Sequence, residues 1–398
     1  MEDNDLRVDG FLFGAVKSGI RGKDRLDLAL IYCTEPAAAA AVFTTSQVKA
    51  APVLLGMERI KGGRVQAILV NSGIANACTG AEGMDKARAA SSLAAQALSI
   101  DEGLVQVSST GVIGQQLDMG CFAHVRRLAG ELAADRAMDV ARAIMTTDTV
   151  PKTAVRTATI GGKTVTVAGM AKGAGMIMPN MATMLCYLIT DAAVESGVMQ
   201  QVLRRSVDQS FNRITVDGDT STNDTVLFLA SAKAGNAVLS DPAADDAVRF
   251  QQVVDEVSRD LALQIVADGE GATKLVTIRV EGAKSDAEAE LAARTVANSP
   301  LVKTAFFGQD ANWGRIIAAL GRSGIEFDQT KVDIAFDNVG IVGNGLWLGA
   351  EAELAATVVL KQKSFVVLIT LREGIGSCSI HTCDFSIDYV KINADYRS

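Results

Sequence analysis

Histidine is nearly absent from this chain, which has only His124 and His381 among 398 residues. A Ser-His-Asp or Cys-His mechanism, or a metal site built from several histidines, therefore has very little to work with. Aromatic residues are also scarce, at 5%, and leave little surface on which nucleic-acid bases could stack. A nucleophilic enzyme built from this chain would therefore need a base other than histidine.

Positive charge is in deficit as well. The chain has 38 Lys and Arg against 46 Asp and Glu, a net charge of −8, and its pI is near 5.0. It lacks the basic surface that neutralises a phosphate backbone, so nucleic acid is not an expected partner. No apolar run approaches the roughly 18 residues of a membrane span, and the N-terminal MEDNDLRVDG is too acidic for a signal or transit peptide. We expect a cytoplasmic protein without a membrane partner.

The six cysteines lie singly along the chain, except for Cys378 and Cys383. This usage indicates reduced, mostly buried thiols rather than a disulfide scaffold. Cys378, His381 and Cys383 are close enough in sequence to suggest zinc. Their spacing matches no common structural site, however, and alternation along a strand would send some of these side chains to opposite faces. We therefore predict no metal.

Two other motifs do not support the sites they resemble. Gly162-Lys163-Thr164 resembles the end of a phosphate loop, but the required earlier glycine is Thr157. The run from Asp217 resembles a calcium loop, but Thr222 and Phe228 replace its glycine and its final glutamate.

Short β-branched runs alternate with Ala-rich amphipathic stretches and indicate an α+β protein with mixed sheets. A hairpin is predicted over 157–175 around Gly161-Gly162, and a turn between two helices over 109–114. Helices are predicted at 85–98, 118–145, 191–207, 242–267 and 285–299. Strands alternating with short helices are predicted within 24–70, and further strands after Pro179, at 225–232 and at 273–280. The tail from about 331 predicts an antiparallel sheet with strands at VDIAF, TVVL, FVVLIT and YVKIN.

The scarcity of histidine favours a nucleophile that carries its own base. An α-amino group has a pKa of about 7.7–8.0, and an N-terminal threonine supplies hydroxyl and amine on one residue. The candidate is Thr183 in KGAGMIMPNMATML, residues 172–185, where two glycines and a proline permit a tight turn before an apolar strand. Attack of Thr183 Oγ on the Ala182 carbonyl would shift the acyl group to oxygen and leave an ester for water to cleave. The pattern alone is usually that of an ordinary strand start.

Motifs along the whole chain resemble the ornithine acetyltransferase family, the glutamate N-acetyltransferases of the cyclic arginine pathway. The family's precursors cleave themselves at such an Ala-Thr bond. The motifs are FTTSQVKAAPV (43–53), VNSGIANACTG (70–80), SSTGVIG (108–114), TTDTVPKTA (146–154), AKGAGMIMPNMATML (171–185), VDGDTSTND (216–224), DGEGATK (268–274), GQDANWGRI (308–316) and YVKINADYRS (389–398).

This resemblance implies an N-terminal-nucleophile architecture like that of the aminopeptidases, and it assigns residue roles. Thr183 is the nucleophile, acetylated on Oγ, and Thr110 and Gly111 form the oxyanion-hole pair, in which each lost donor typically costs about 10²–10³ in rate. The implied substrate contacts are Thr149, Lys172, Thr183, Glu270, Asn393 and Ser398. Lys172 suits a carboxylate and Glu270 an ammonium group.

Scission between Ala182 and Thr183 would divide the chain into 1–182 and 183–398. Within the second part we expect 183–275 to complete the catalytic domain with a helical subdomain. Residues 276–398 are then a β-rich domain that carries the C-terminal substrate residues. The fragments are expected to stay together as a heterotetramer of two copies each.

The implied reaction is a ping-pong transfer of acetyl from acetylornithine through Thr183 to glutamate. It needs no metal or organic cofactor, and its only other partners are the small amino-acid substrates. Acetyl-CoA stays open as an additional donor, because no motif decides it. Two alternatives also stay open: an N-terminal-threonine amidohydrolase or aminopeptidase with water as acceptor, and a non-catalytic binding protein with an intact chain. SCSIHTCDF (377–385) departs from the family pattern and leaves the acceptor preference open.

Overall fold

Two β-sheets organise the residues that the computed structural model describes, which are 6–22, 24–178 and 184–395. The chain divides into a first unit, which runs to Asn212 and includes Asp219–Ile265, and a second unit. The second unit contains Arg213–Gly218 and the described chain from Val266 onward. Both sheets combine parallel and antiparallel strand pairs. The predicted α+β protein with mixed sheets is therefore confirmed.

The first unit contains an eight-stranded sheet in the order β4-β3-β2-β8-β7-β6-β5, with β1 paired to β2. Its strands are β1 (Phe11–Val16), β2 (Leu28–Phe43), β3 (Arg64–Ile74), β4 (Val105–Val112), β5 (Lys152–Ile160), β6 (Lys163–Lys172), β7 (Leu185–Thr190) and β8 (Thr225–Ala230). Its helices are α1 (Ala51–Arg59), α2 (Gly80–Leu98), α3 (Val125–Gly130), α4 (Ala137–Ala143), α5 (Ser196–Gln209) and α6 (Asp245–Ala267).

Apolar side chains cover both faces of this sheet. Ile31 and Ile68 pack with Val140 of α4 on one face, whereas Leu30 and Leu69 pack with the alanines of α2 on the other. Every residue of β7 and β8 is buried. This burial explains why these two central strands are continuous apolar runs rather than alternating ones.

The alanine tract after Pro36 lies in β2, although alanine is the strongest helix former. The small side chains let α5 approach the strand closely. Gln200 of α5 accepts from Ala41 N at 3.4 Å and donates to Ala41 O at 3.1 Å. At Ala41, β2 extends beyond the residues that pair with β3. The Gln200 side-chain amide takes the place of a neighbouring strand there, because buried backbone N–H and C=O groups need hydrogen-bond partners.

The predicted hairpin around Gly161-Gly162 is confirmed. β5 and β6 pair in register from Lys152↔Ala171 to Ile160↔Lys163. Gly161 and Gly162 have φ values of 56° and 73°, which suits a two-residue turn that matches the twist of the strands. The hairpin also confirms that Gly162-Lys163-Thr164 does not lead from a strand into a helix.

The second unit contains a six-stranded sheet in the order β12-β11-β10-β13-β9-β14, of which β9 and β13 are parallel. Its strands are β9 (Leu275–Ala283), β10 (Asp333–Phe336), β11 (Val339–Gly343), β12 (Leu346–Trp347), β13 (Ser364–Thr370) and β14 (Gly376–Cys383). Its helices are α7 (Asp286–Ala297), α8 (Pro300–Phe307), α9 (Trp313–Gly321), α10 (Ala350–Leu360) and α11 (Ile387–Asp395). Within the described ranges, no helix combines the length and apolar composition needed to span a bilayer.

Two predicted strands of the tail were wrong. TVVL forms the last turn of α10, because it continues the helix-forming run AEAELAA. Val359 and Leu360 are buried there. YVKIN lies in α11, because Ser386 Oγ accepts from the backbone N–H groups of Asp388 and Tyr389 and so caps the helix start.

The region 109–145 also differs from its prediction. β4 continues through Thr110 and Gly111, because it pairs with β3, so the turn follows at 113–114. The long helix predicted over 118–145 is broken into α3 and α4. Between them, Ala133 exchanges two backbone hydrogen bonds with Phe13 of β1, which a continuous helix would not allow.

Candidate active site

Three strands of the first unit are aligned at the edge of its sheet where the candidate residues lie. Lys172, the last residue of β6, pairs with Leu185, the first residue of β7. Leu185 in turn pairs with Thr225, the first residue of β8. The residues next to these three positions therefore meet at one edge of the sheet.

Thr110 and Gly111 lie at the end of β4, where they pair with Ser72 and Gly73 of β3. Gly111 has φ +129°, and a Cβ on it would lie 2.2 Å from the carbonyl carbon of Gly73. No other residue fits this close approach of two backbones. Thr110 is 8% exposed as a residue, so it lies in a mostly buried position.

Lys172 is also 8% exposed. Its Nζ donates to Thr110 Oγ1 at 3.3 Å. The structure thus brings together two residues that the resemblance had placed in different roles, one in the oxyanion hole and one among the substrate contacts.

Asp148 is a buried carboxylate at the same edge of the sheet. Its Oδ1 accepts from Lys152 Nζ at 2.6 Å and from Gly173 N at 2.7 Å, while its Oδ2 accepts from Thr146 N at 2.8 Å. Both side chains of the Asp148–Lys152 ion pair are fully buried. Burial by itself would raise the pKa of Asp148, but the Lys172 and Lys152 charges and the donated hydrogen bonds outweigh it and lower this pKa to about 2.

Asp224, directly before β8, is a second buried carboxyl group. It is 1% exposed, and its Oδ2 has no hydrogen-bond partner among the described residues. Burial raises the pKa of Asp224 well above its ordinary value, although the Lys172 ammonium and the Met184 backbone amide act in the opposite direction. The cluster therefore combines a carboxyl group whose pKa is lowered, Asp148, with one whose pKa is raised, Asp224.

Asn223 fixes the loops around this cluster. Its Nδ2 donates to Ala75 O at 2.6 Å and to Ser109 O at 2.8 Å. These bonds tie the ends of β3 and β4 to the start of β8, and so fix the backbone directly before Thr110. Thr149, by contrast, is exposed.

Glu270 and Asn393 belong to the second unit. Asn393 Nδ2 donates to Glu270 Oε2 at 2.8 Å, and Glu270 is 7% exposed. The buried Asp384 accepts from the backbone N–H groups of Thr273 and Lys274, which fixes the chain three and four residues after Glu270.

Cys378, His381 and Cys383 each have a partner of their own. Arg213 donates to Cys378 Sγ at 2.9 Å, His381 Nδ1 lies 2.9 Å from Thr277 Oγ1, and Lys303 Nζ lies 3.7 Å from Cys383 Sγ. In the described part of the chain, no group of three or more His, Cys, Asp or Glu could hold a metal ion.

Ala182, Thr183 and Ser398 lie outside the described residues. Sequence reasoning missed Asp148, Lys152, Asn223 and Asp224 as parts of the site. A signal was present, because all four lie within motifs that carry the resemblance, TTDTVPKTA and VDGDTSTND.

Comparison with known proteins extends these observations to the whole chain. The model of the ArgJ family matches residues 12–398. The arginine biosynthesis bifunctional protein ArgJ of Desulfotalea psychrophila is 55% identical over 396 residues, which cover 99% of this chain and 100% of that protein. The protein of the same name from Geobacter sulfurreducens is 53% identical over 394 residues, with the same coverage of both chains.

One solved structure is also similar. The crystal structure of the arginine biosynthesis bifunctional protein ArgJ from Bacillus halodurans superimposes with a TM-score of 0.50 and 43% sequence identity. The match covers 52% of this chain and 96% of that chain.

Proposed function

This chain belongs to the ArgJ family of arginine-biosynthesis enzymes, and we propose that it transfers acetyl from N2-acetyl-L-ornithine to L-glutamate through Thr183. The enzyme is an acyltransferase of the glutamate N-acetyltransferase type. The observation that carries the proposal is the convergence of Thr110 and Lys172 at the sheet edge where Leu185 begins β7. In the sequence, Leu185 follows Thr183 by two residues.

The proposed cycle has two half-reactions. Thr183 Oγ attacks the acetyl carbonyl while the α-amino group of the same residue accepts the hydroxyl proton. The resulting oxyanion receives hydrogen bonds from the Thr110 hydroxyl and the Gly111 amide. The C–N bond then breaks, the proton passes to the leaving amine, and ornithine departs. Glutamate repeats the sequence in reverse, so that acetylglutamate leaves and the threonine is free again.

Both amino acids carry an α-carboxylate, which suits Lys172, while Glu270 suits an ammonium group. Thr149, Asn393 and Ser398 are the further substrate contacts that the resemblance assigns. The cycle uses no metal and no organic cofactor.

The free amine of Thr183 requires self-cleavage of the Ala182–Thr183 bond. The length of the solved Bacillus halodurans chain supports this step. A match over 52% of 398 residues that covers 96% of that chain corresponds to a chain of about 216 residues. The proposed C-terminal fragment, 183–398, also has 216 residues. We infer that the two fragments assemble as a heterotetramer with two copies of each, which native mass spectrometry would measure.

Cleavage is tested by the intact mass of the purified protein. Wild type is expected as two fragments, of 182 and 216 residues, and Thr183→Ala as one uncut chain. Thr164→Ala is the matched control, because Thr164 is an exposed threonine in β6 and should leave cleavage unchanged. An uncut wild type would favour a non-catalytic binding protein.

Transfer is tested by incubating the enzyme with acetylornithine, with and without glutamate. Acetylglutamate should form only with glutamate, and Thr183→Val should form none. Acetate released at equal rates in both reactions would instead identify an amidohydrolase.

The relatives' shared name, bifunctional protein, supports a second donor. We propose that acetyl-CoA also acetylates Thr183 and so yields acetylglutamate without acetylornithine. The test measures free thiol release from acetyl-CoA in the presence and absence of glutamate, and no glutamate-dependent release would limit this enzyme to acetylornithine.

A further inference from the structure

The hydrogen bond between Lys172 and Thr110 has a direction that the oxyanion-hole role of Thr110 requires. We propose that Lys172 is a positioning residue for the oxyanion hole, which orients the Thr110 hydroxyl so that its hydrogen points to the developing oxyanion. This inference rests on the proposed function and adds to the role of Lys172 as a contact for the substrate carboxylate.

The chemistry of the two groups fixes which one donates. An ammonium group has three donors and no acceptor, so Thr110 Oγ1 must accept across the 3.3 Å contact. The one hydroxyl hydrogen of Thr110 is then directed away from Lys172. Among the described residues this hydroxyl makes no other hydrogen bond. Its hydrogen is therefore available to an oxyanion, and a hydroxyl that accepts from a cation is a stronger donor.

The surroundings keep the Lys172 ammonium at this position. Asp148 accepts from Gly173 N, the backbone group directly after Lys172, and so fixes the end of β6. Asp148 also supplies a buried negative charge that interacts with Lys172. Thr110 is fixed in turn, because Asn223 holds the carbonyl of the preceding Ser109 at 2.8 Å.

A role in substrate binding alone makes a different prediction. If Lys172 only binds a carboxylate, its loss weakens ground-state binding and raises KM, whatever residue occupies position 110. If Lys172 acts through the Thr110 hydroxyl, its loss lowers kcat, and the loss disappears when the hydroxyl is already absent.

A double-mutant cycle separates the two roles. Wild type, Lys172→Met, Thr110→Val and the double variant are compared by kcat and KM for transfer from acetylornithine to glutamate, per cleaved enzyme counted by intact mass. We expect Thr110→Val to lower kcat about 10²–10³-fold and Lys172→Met at least about tenfold. The kcat of the double variant should lie within about threefold of that of Thr110→Val.

Two results would overturn the inference. In the first, the kcat losses of the two single variants multiply in the double variant. In the second, Lys172→Met changes only KM. Thermal unfolding of each variant checks its folding, and Lys172→Gln serves as the second variant in the same cycle if Lys172→Met does not fold. A wild type without transfer activity refutes the proposed function and this inference with it. An active wild type with multiplying factors refutes the inference alone.

Discussion

Replacing Asp148 by asparagine is the sharpest test of the buried ion pair. The carboxylate accepts from Lys152 and Gly173 on one oxygen and from Thr146 on the other. Asparagine has only one acceptor oxygen, so its NH₂ group would face donors on one side, and Lys152 would lose this counter-charge inside the protein. Breaking one partner of a buried pair costs about 3–5 kcal/mol.

The assay is the thermal unfolding midpoint, measured at one scan rate for all variants. At roughly 2–4 °C per kcal/mol for a unit of this size, Asp148→Asn should lower the midpoint by at least about 6 °C. The matched control is Glu131→Gln, which breaks the exposed pair with Arg127 and should cost less than about 1 kcal/mol. Adding Lys152→Met to Asp148→Asn should recover part of the loss, because both charges are then gone. A midpoint for Asp148→Asn equal to that of Glu131→Gln would refute this reasoning.

Three further results are expected. The difference in unfolding midpoint between wild type and Asp148→Asn should shrink as the pH falls from about 4 to about 2. The Asp148 carboxyl, whose pKa is lowered to about 2, stabilises the fold while it is ionised and loses that effect when it takes up a proton. A difference that stays constant over this pH range would contradict this. Gly111→Ala should destabilise the protein and abolish transfer, since its Cβ meets the Gly73 backbone. Gly197→Ala in α5, with nothing within 4 Å, should keep transfer and leave the midpoint equal or slightly raised; equal melting and activity for the two variants would argue against the close approach. At pH 8, mass spectrometry should find the exposed Cys78 alkylated in the native protein and Cys186, whose pKa is raised by burial, alkylated only after unfolding; early labelling of Cys186 would contradict its burial.

Local sequence patterns predicted much of the fold, because their causes are local. Gly161-Gly162 predicted the β5–β6 hairpin, since few other residue pairs adopt positive φ twice. TVVL and YVKIN were misread as strands, because β-branched content is a weak guide against a helix-forming run or a serine cap. The preceding sequence made each segment helical. AEAELAA precedes TVVL, and Ser386, which caps α11, precedes YVKIN.

The candidate site, like the fold, was only partly predictable from local sequence patterns. Thr110 and Lys172 are far apart in sequence, and only the motifs indicated that both belong to it. Their contact joins β4 to β6, which four other strands separate in the order of the sheet, and no pattern at either position reveals it. The Asp148–Lys152 pair has the four-residue spacing of a surface helix pair. Pro151, directly before Lys152, disfavours a helix at this position. The pair instead joins a loop to the start of β5, and both of its side chains are fully buried.

The two carboxyl groups of the cluster in the first unit have pKa values shifted in opposite directions, because their hydrogen bonds and neighbouring charges differ. Asp148 receives hydrogen bonds on both oxygens and stays ionised, whereas Asp224 has one oxygen without a partner among the described residues and a raised pKa. Lys152 forms its buried ion pair with Asp148, and Lys172 lies near the same carboxylate. The ammonium group of Lys172 therefore suits the carboxylate of an amino acid. Since acetylornithine and glutamate share that group, one such cluster is compatible with both halves of the proposed cycle.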